Sequence, residues 1–393
     1  MKKRFAFLPC LLLCLVFTAC GGTQWSYQEK SAEKSCRKAA AMVADCLNQA
    51  EYASSASHWE DKKLAQTDRT RAEQLLESAG LPVLRSSEVS PEYLGQPEGL
   101  RRFLKEIREG KNGDYSVYRV TENGKISCSC FWQRDGGFYM SYVCCDPAQK
   151  GKDRVSIVET YGIQDWDLSE KGNFYYRTFW EDDQHYANYN RIRTMQPDEM
   201  LYGMTRGYIL PVGYTGVNLF LLDWDSHSME NVCINDLWDC LEGARTGQRP
   251  DPEALGFAYD RDRGCFDVPA DRFEAVLLNR FPLTLEEFRQ LTDYSPQTNT
   301  YPWIPLESEL AILYSHAILE PEVTACRENG DGSLTLTVEV DSTDWKTDAL
   351  FIHELTIRPL EDETCQYLGN KMIKVDRETL PLSLSRAEVR GNG

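Results

Sequence analysis

The chain has 393 residues and carries 61 acidic against 43 basic side chains, a formal net charge of −18. This length predicts two or three domains with a sizeable core. So acidic a balance argues against electrostatic binding to nucleic acid or to anionic lipid, and it is typical of a well-solvated surface. After residue 19 no stretch of eighteen apolar residues occurs, so the sequence predicts no transmembrane helix there.

The first twenty residues have the pattern of a bacterial lipoprotein signal. A basic start at 2–4 and an apolar segment at 5–17 lead through two small residues to Cys20, and this order resembles a lipobox. We therefore predict a signal peptide at 1–19, a diacylglycerol group on Cys20 that anchors the chain in the bilayer, and a short tether at 20–24. The alternative is an ordinary secreted protein that is cut near the same point.

The segment 25–180 predicts helices followed by an antiparallel sheet. Helical periodicity covers 26–51, 67–79 and 98–110. Within 114–179 the apolar period changes to two, and short turns separate five predicted strands. We therefore expect an antiparallel β-meander that packs on the preceding helices.

The rest of the chain predicts a mixed region and a small β unit. Residues 181–310 contain short helical segments, among them a helix pair, and 311–376 contains alternating apolar residues typical of paired strands. Residues 377–393 have no apolar periodicity, so we expect a frayed tail. The predicted fold class is therefore α+β.

Eleven cysteines follow Cys20, and none forms a CxxC pair, so the usual zinc-ribbon and thioredoxin spacings are absent. Cys128 and Cys130 lie on one predicted strand, and Cys144 and Cys145 lie on the next. A turn of two to four residues places Cys128 opposite Cys144 or Cys145, where a disulfide is possible. A four-thiolate metal site is disfavoured because adjacent residues point to opposite faces of a strand. Packing of free thiols is the favoured alternative.

A carboxylate pair is the second candidate site. Asp223 and Asp225 flank Trp224 at the end of a predicted buried strand, 219–224, and should share one face of it. Such pairs serve glycosidic acid–base chemistry or bind calcium, and they also occur as solvated or capping groups. Walker, GxSxG, GxGxxG and HExxH patterns are all absent, and the sequence predicts no catalytic residue, no metal site and no cofactor.

Six segments of the chain form a recognisable set: 169–172 (SEKG), 208–214 (YILPVGY), 220–224 (FLLDW), 266–273 (FDVPADRF), 300–303 (TYPW) and 353–363 (HELTIRPLEDE). Together they resemble a family of uncharacterised lipoproteins of Gram-positive gut bacteria. The likeness covers most of the chain after the signal. The family is a domain of unknown function, so the resemblance implies export and a shared fold and assigns no chemistry.

The anchor and the aromatic content, 20 Tyr and 9 Trp, indicate a binding protein on the extracytoplasmic face of the cell membrane. Aromatic clusters at 174–180 and 186–189 can stack on sugars or peptides, although packing within a sheet explains them as well. We expect a non-catalytic binding or scaffolding role with a glycan, a peptide or an envelope protein as partner. The alternative is an envelope hydrolase that acts on glycan or cell-wall material through Asp223 and Asp225.

Overall fold

A computed structural model describes the chain at 8–50, 52–54, 62–86, 91–179, 189–307, 310–311, 319–375 and 380–391. Helices make up 31% and strands 35% of the structure, which confirms the predicted α+β class. Two compact units divide the chain: unit 1 is Met1–Gln196 and unit 2 is Pro197–Gly393. In the part of the chain that the structure describes, no helix has the length and apolar character needed to cross a membrane.

Unit 1 contains three described helices and ten described strands. The helices are α1 (Leu8–Asn48), α2 (Gln66–Ser78) and α3 (Glu98–Arg108). The strands are β1 (Tyr52–Ser54), β2 (Lys62–Leu64), β3 (Val83–Arg85), β4 (Tyr93–Leu94), β5 (Gly113–Val120), β6 (Ile126–Arg134), β7 (Gly137–Cys145), β8 (Val155–Leu168), β9 (Phe174–Phe179) and β10 (Asn190–Ile192). Helix α1 includes 20–24, the segment that the sequence predicts as a tether, and its side chains are described from Tyr27 onward.

An eight-stranded sheet forms the centre of unit 1, in the order β10-β9-β8-β7-β6-β5-β3-β4. Strands β5 to β9 pair antiparallel with their neighbours in the chain, and β3 joins β5 in parallel. The β6–β7 turn shows why these links are short. Asp135 and Gly136 have φ values of 52° and 81°, and positive φ at both central residues is typical of a tight type I′ hairpin.

Helices pack on both faces of this sheet. On one face, α1 contributes small side chains to a core shared with α2 and with alternate residues of β6 and β7; these are Ala32, Cys36, Ala39, Ala40 and Val43. On the opposite face, α3 packs four large apolar residues, Leu100, Phe103, Leu104 and Ile107, among the aromatic side chains of the strands. The period-two pattern of the strands determines which residues face which helix.

Unit 2 contains five described α-helices and eight described strands. The helices are α4 (Glu199–Met204), α5 (Trp238–Thr246), α6 (Ala270–Leu277), α7 (Leu285–Leu291) and α8 (Arg386–Gly391), and a π-helical turn, Thr205–Ile209, follows α4. The strands are β11 (Trp224–Asp225), β12 (Ala258–Asp260), β13 (Cys265–Pro269), β14 (Thr300–Trp303), β15 (Leu319–Glu328), β16 (Leu334–Ser342), β17 (Thr347–Pro359) and β18 (Cys365–Val375).

These strands form two antiparallel sheets, β11-β18-β17-β16-β15 and β12-β13-β14. One aromatic-rich core joins the larger sheet to α5, α6 and α7. The predicted mixed region and the predicted C-terminal β unit therefore share a core for most of their length.

Unit 2 differs from the sequence prediction at two places. Residues 219–221 are buried and Leu222 is half-buried, but the segment forms a turn, because the Trp224 indole N–H donates to the Leu219 carbonyl at 2.7 Å and folds the segment back. The described part of the predicted tail, 380–391, carries helix α8, in which Arg386 is fully buried and Val389 nearly so. Polar contacts of Arg386, rather than an apolar period, hold this segment in place.

Candidate functional site

A polar cavity of about 390 Å³ opens on the α3 face of the sheet in unit 1. This size lies within the range of small-molecule pockets. We call it the sheet pocket and define it by Ser129 on β6, Tyr142 on β7, Glu159 on β8, and Tyr176 on β9. Strands β5 and β10 complete the wall.

Strand register brings the polar side chains of the sheet pocket together. Ser129 lies opposite Tyr142, and Tyr142 lies opposite Glu159. Directly opposed residues of antiparallel strands point to the same face, so these three side chains form one row across β6, β7 and β8. On the next strand pair, Tyr176 lies opposite Asn190, which adds an amide group. The row offers hydroxyl, carboxylate and aromatic surface within one cavity.

Two arginines add positive charge to the rim of the sheet pocket, Arg119 on β5 and Arg191 on β10. Arg119 forms an ion pair of 2.8 Å with Glu92, which also accepts a 2.7 Å contact from Arg69. The Glu92 carboxylate therefore binds two guanidinium groups, and about half of the Arg119 side chain remains exposed to solvent. A ligand with acceptor oxygens can use such a group as a charge-assisted donor.

The tyrosine hydroxyls of the sheet pocket stay protonated at neutral pH. Burial raises the pKa of Tyr176 to about 12 and raises the pKa of Tyr142 above its usual value. Burial and a hydrogen bond to Glu159 raise the pKa of Tyr161, whose hydroxyl donates to that carboxylate. The hydroxyls of Tyr142 and Tyr176 are thus neutral groups that can donate or accept, and the Tyr161 hydroxyl can still accept, which suits the binding of a polar ligand.

Sequence reasoning named two residues that line this pocket, Tyr176 and Thr178, as part of the aromatic cluster 174–180, of which 174–179 is described. The serines were missed although their signal is present. Between Ile126 and Cys130 the apolar residues alternate with Ser127 and Ser129, so the cysteines face α1 and the serines face the pocket. Trp180 and most of the second cluster, 186–189, lie outside the described residues.

In the structure, the register between β6 and β7 does not place Cys128 opposite Cys144 or Cys145. Cys128 lies opposite Val143, Cys144 opposite Ser127, and Cys145 opposite Ile126. The two-residue turn pairs Arg134 with Gly137 and thereby fixes this register. Cys128, Cys144 and Cys145 are buried free thiols in the structure.

Helix α1 supplies a cysteine that the sequence analysis did not connect with this hairpin. The Cys36 thiol lies 3.3 Å from the Ile126 carbonyl oxygen and 3.6 Å from that of Val143. A hydrogen bond between the thiols of Cys36 and Cys145 raises the pKa of Cys36 and lowers that of Cys145. Among the described residues, no three His, Cys, Asp or Glu side chains are placed to hold a metal ion.

Both members of the predicted carboxylate pair have local structural partners. The Asp223 carboxylate accepts a 2.6 Å hydrogen bond from the backbone N–H of Met372. Asp225 accepts from the backbone N–H of His227 at 2.8 Å and from the Ser228 hydroxyl at 3.0 Å. These hydrogen bonds lower the pKa of Asp225, and the bond from the His227 backbone has the largest effect. The pair therefore orders the chain around β11.

Fold and pocket define an α+β protein with two units and a polar cavity on an open sheet face. The chain belongs to a family described as "Family of unknown function (DUF6070)", whose model matches residues 29–386. This match confirms the predicted membership in a family of unknown function. Comparison with curated proteins found no match, and comparison with solved structures found none either.

Proposed function

We propose that this protein is a membrane-anchored lipoprotein of the extracytoplasmic face that binds a glycan or a short peptide in the sheet pocket. The sequence up to Cys20 supports the anchor, and the row formed by Ser129, Tyr142 and Glu159 supports the binding role. A hydrolase acting through Asp223 and Asp225 has less support, because both carboxylates already hold backbone groups.

The position of the anchor fits a binding role close to the membrane. Among the described side chains of α1, Ala32 is the first that joins the apolar core, and it lies twelve residues after Cys20. A helix rises 1.5 Å per residue, so the anchor and the first core contact are about 18 Å apart along α1. Unit 1 would therefore present its pocket near the bilayer surface.

The chemistry of the sheet pocket favours a ligand rich in hydroxyl or amide groups. Tyrosine rings at 142, 161 and 176 provide surface for sugar rings or peptide planes, and their hydroxyls pair with polar substituents. Arg119 and Arg191 add charged donors, while Glu159 adds an acceptor. Envelope glycans and their peptide stems combine these groups in one molecule.

Binding is tested by filling the sheet pocket without changing its charge. We expect Ser129→Leu to weaken binding at least tenfold, because the larger side chain occupies the floor between Val117 and Tyr142. Ser156→Leu, on an exposed position of the same sheet, is the matched control. The measurement is calorimetric titration with neutral sugars, amino sugars and short peptides. A panel without any binder, or equal affinity in both variants, would contradict the proposal.

The anchor is tested in cells by acyl labelling and fractionation. Cys20→Ala should lose the acyl label and leave the membrane fraction, because the thioether to diacylglycerol cannot form. Cys14→Ala removes a cysteine from the predicted signal and should keep both. Unchanged label and membrane partition in the Cys20 variant would show that the anchor lies elsewhere.

A further inference from the structure

A second cavity, of about 750 Å³, lies in unit 2. Its walls are the π-helical turn Thr205–Ile209, helices α5 and α6, and the connection between β17 and β18. We call it the arginine groove and define it by Arg206, Arg245, Arg280 and Asp362. Three guanidinium groups around one cavity stand out in a chain with a net charge of −18.

Arg245 is only partly neutralised by its ion pair. Its guanidinium forms contacts of 2.8 and 2.9 Å with the buried carboxylate of Glu242. The same carboxylate accepts a 3.0 Å contact from Arg272. One negative charge thus serves two guanidinium groups, and the side chain of Arg245 remains 58% exposed.

Arg206 and Arg280 have no carboxylate within ion-pair distance among the residues that the structure describes. Arg280 attracts Asp362 electrostatically, but the Asp362 carboxylate is hydrogen bonded to the backbone and hydroxyl of Thr364. Glu361 and Glu363 flank Asp362 without contributing to the lining. The residues that line the groove thus carry three guanidinium groups and one carboxylate, an excess of two positive charges.

The backbone at the groove supports a functional role. Arg206 lies in a five-residue π-helical turn, a rare conformation that is frequent at functional sites. Ala244 on α5 and Ala275 on α6 line the groove with short side chains and leave room for a ligand. The cavity is thus both wide and positively charged.

We propose that the arginine groove binds a small organic phosphate ester. Guanidinium groups match the geometry of phosphate oxygens, and an excess of two positive charges matches a dianion. Leu241, Val276 and Leu360 provide an apolar wall for the organic part, and the Asn279 and Gln366 amides provide further donors. This site belongs to unit 2 and does not depend on ligand binding in the sheet pocket.

The experiment is calorimetric titration of the protein lacking its lipid with phenyl phosphate, inorganic phosphate and phenol. Phenyl phosphate should bind most tightly, since it uses both the charged and the apolar walls, and its affinity should fall with added salt. Vesicles containing phosphatidic acid distinguish a lipid phosphate from a soluble one. Phenol that binds as tightly as phenyl phosphate, or binding to vesicles alone, would overturn the proposal.

A double variant separates the groove from general charge effects. Arg206→Gln with Arg280→Gln should weaken phenyl phosphate binding at least tenfold, because charge-assisted hydrogen bonds are lost. Arg261→Gln with Arg327→Gln removes the same charge from exposed positions in the β12–β13 turn and on strand β15, outside the groove lining, and should change affinity less than twofold. The single exposed Arg206→Gln variant serves if the double variant melts early. Equal losses in both double variants would overturn the proposal.

Discussion

The interiors of the two units are stabilised in different ways. In unit 1, helix α1 meets the sheet through small side chains, and Cys36, Ala39 and Ala40 are fully buried there. In unit 2, the interior encloses two fully buried polar side chains, Arg386 and His353, and each has hydrogen-bond partners. The α1 interface of unit 1 depends on volume, and these parts of unit 2 depend on matched polar partners.

Arg386 shows how completely a buried charge can be satisfied. Its five N–H donors bind the Asp239 carboxylate twice and the carbonyl oxygens of Gly216, Asp236 and Ile304, at 2.7 to 3.0 Å. The Asp236 carboxylate accepts from the Arg386 backbone N–H, and burial raises the pKa of Asp236 to about 6. Since these partners come from distant parts of unit 2, the arginine ties the C-terminal segment to them.

A Tyr–His–Asn chain is the second buried polar group of unit 2. The Tyr214 hydroxyl lies 2.7 Å from His353 Nε2, and His353 Nδ1 lies 2.6 Å from Asn370 Oδ1. Because the amide oxygen accepts, Nδ1 carries the proton and Nε2 accepts from tyrosine. Burial lowers the pKa of His353 to about 4, so the ring is neutral at physiological pH.

The strongest test of the difference between the two units is a substitution of Arg386, where we expect the largest loss of stability. Arg386→Met should lower the free energy of unfolding of unit 2 by about 3–5 kcal/mol, because Asp239 stays buried without its partner. Arg358→Met, which removes an exposed ion pair with Asp331, should cost at most about 1 kcal/mol. Denaturant unfolding followed by tryptophan fluorescence measures both. Similar values for the two variants would show that unit 2 does not depend on the buried charge.

We expect an intermediate loss of stability in unit 1 when a larger side chain is placed at the interface between α1 and the sheet. Ala39→Leu should destabilise unit 1 by about 1–3 kcal/mol, because the α1 interface has no space for the larger side chain. Lys38→Leu, at the exposed neighbouring position, is the control and should change stability by less than about 0.5 kcal/mol. A neutral Ala39→Leu variant would show that the interface between α1 and the sheet is loosely packed.

The smallest expected effect is the pH dependence of stability that the buried His353 of unit 2 contributes. The pKa of His353 is about 4 in the folded protein and near 6.5 when unfolded, so the unfolded chain binds more protons between these values. Stability from this group is therefore complete above about pH 6.5 and falls with pH towards 4. Between pH 6 and pH 5 the wild type should lose about 1 kcal/mol more than His353→Gln.

The control for this pH effect is His227→Gln, which makes the same substitution at an exposed position and is measured beside the wild type and His353→Gln. The difference between variants isolates His353 from carboxylates with the opposite pH dependence, such as Glu73 and Asp236, whose pKa values burial raises to about 7 and about 6. Parallel profiles for the wild type and His353→Gln would contradict the assignment of a buried neutral ring.

Much of the fold was predictable because it follows from local pattern. Strands β5 to β9 occupy the segment 114–179 with its period of two, and α2 and α3 lie within two residues of the predicted helices. The capping box of α7 could also be predicted, since Thr284 and Glu287 are three residues apart and bond reciprocally. These signals need no information about distant parts of the chain.

The sequence by itself determined the α+β class, the positions of the main helices and strands, and the basis for predicting an anchor at Cys20. Only the tertiary structure decided which side chains contact one another. The position of the two-residue turn, at Asp135 and Gly136, set a register in which Cys128 lies opposite Val143, and α1 brought Cys36 beside Cys145. The polar row at Ser129 depends on the registers of three consecutive strands, and the burial of Arg386 depends on Asp239, 147 residues earlier in the chain. Side-chain periodicity reports which face a residue occupies, whereas its partner depends on turn lengths and packing elsewhere.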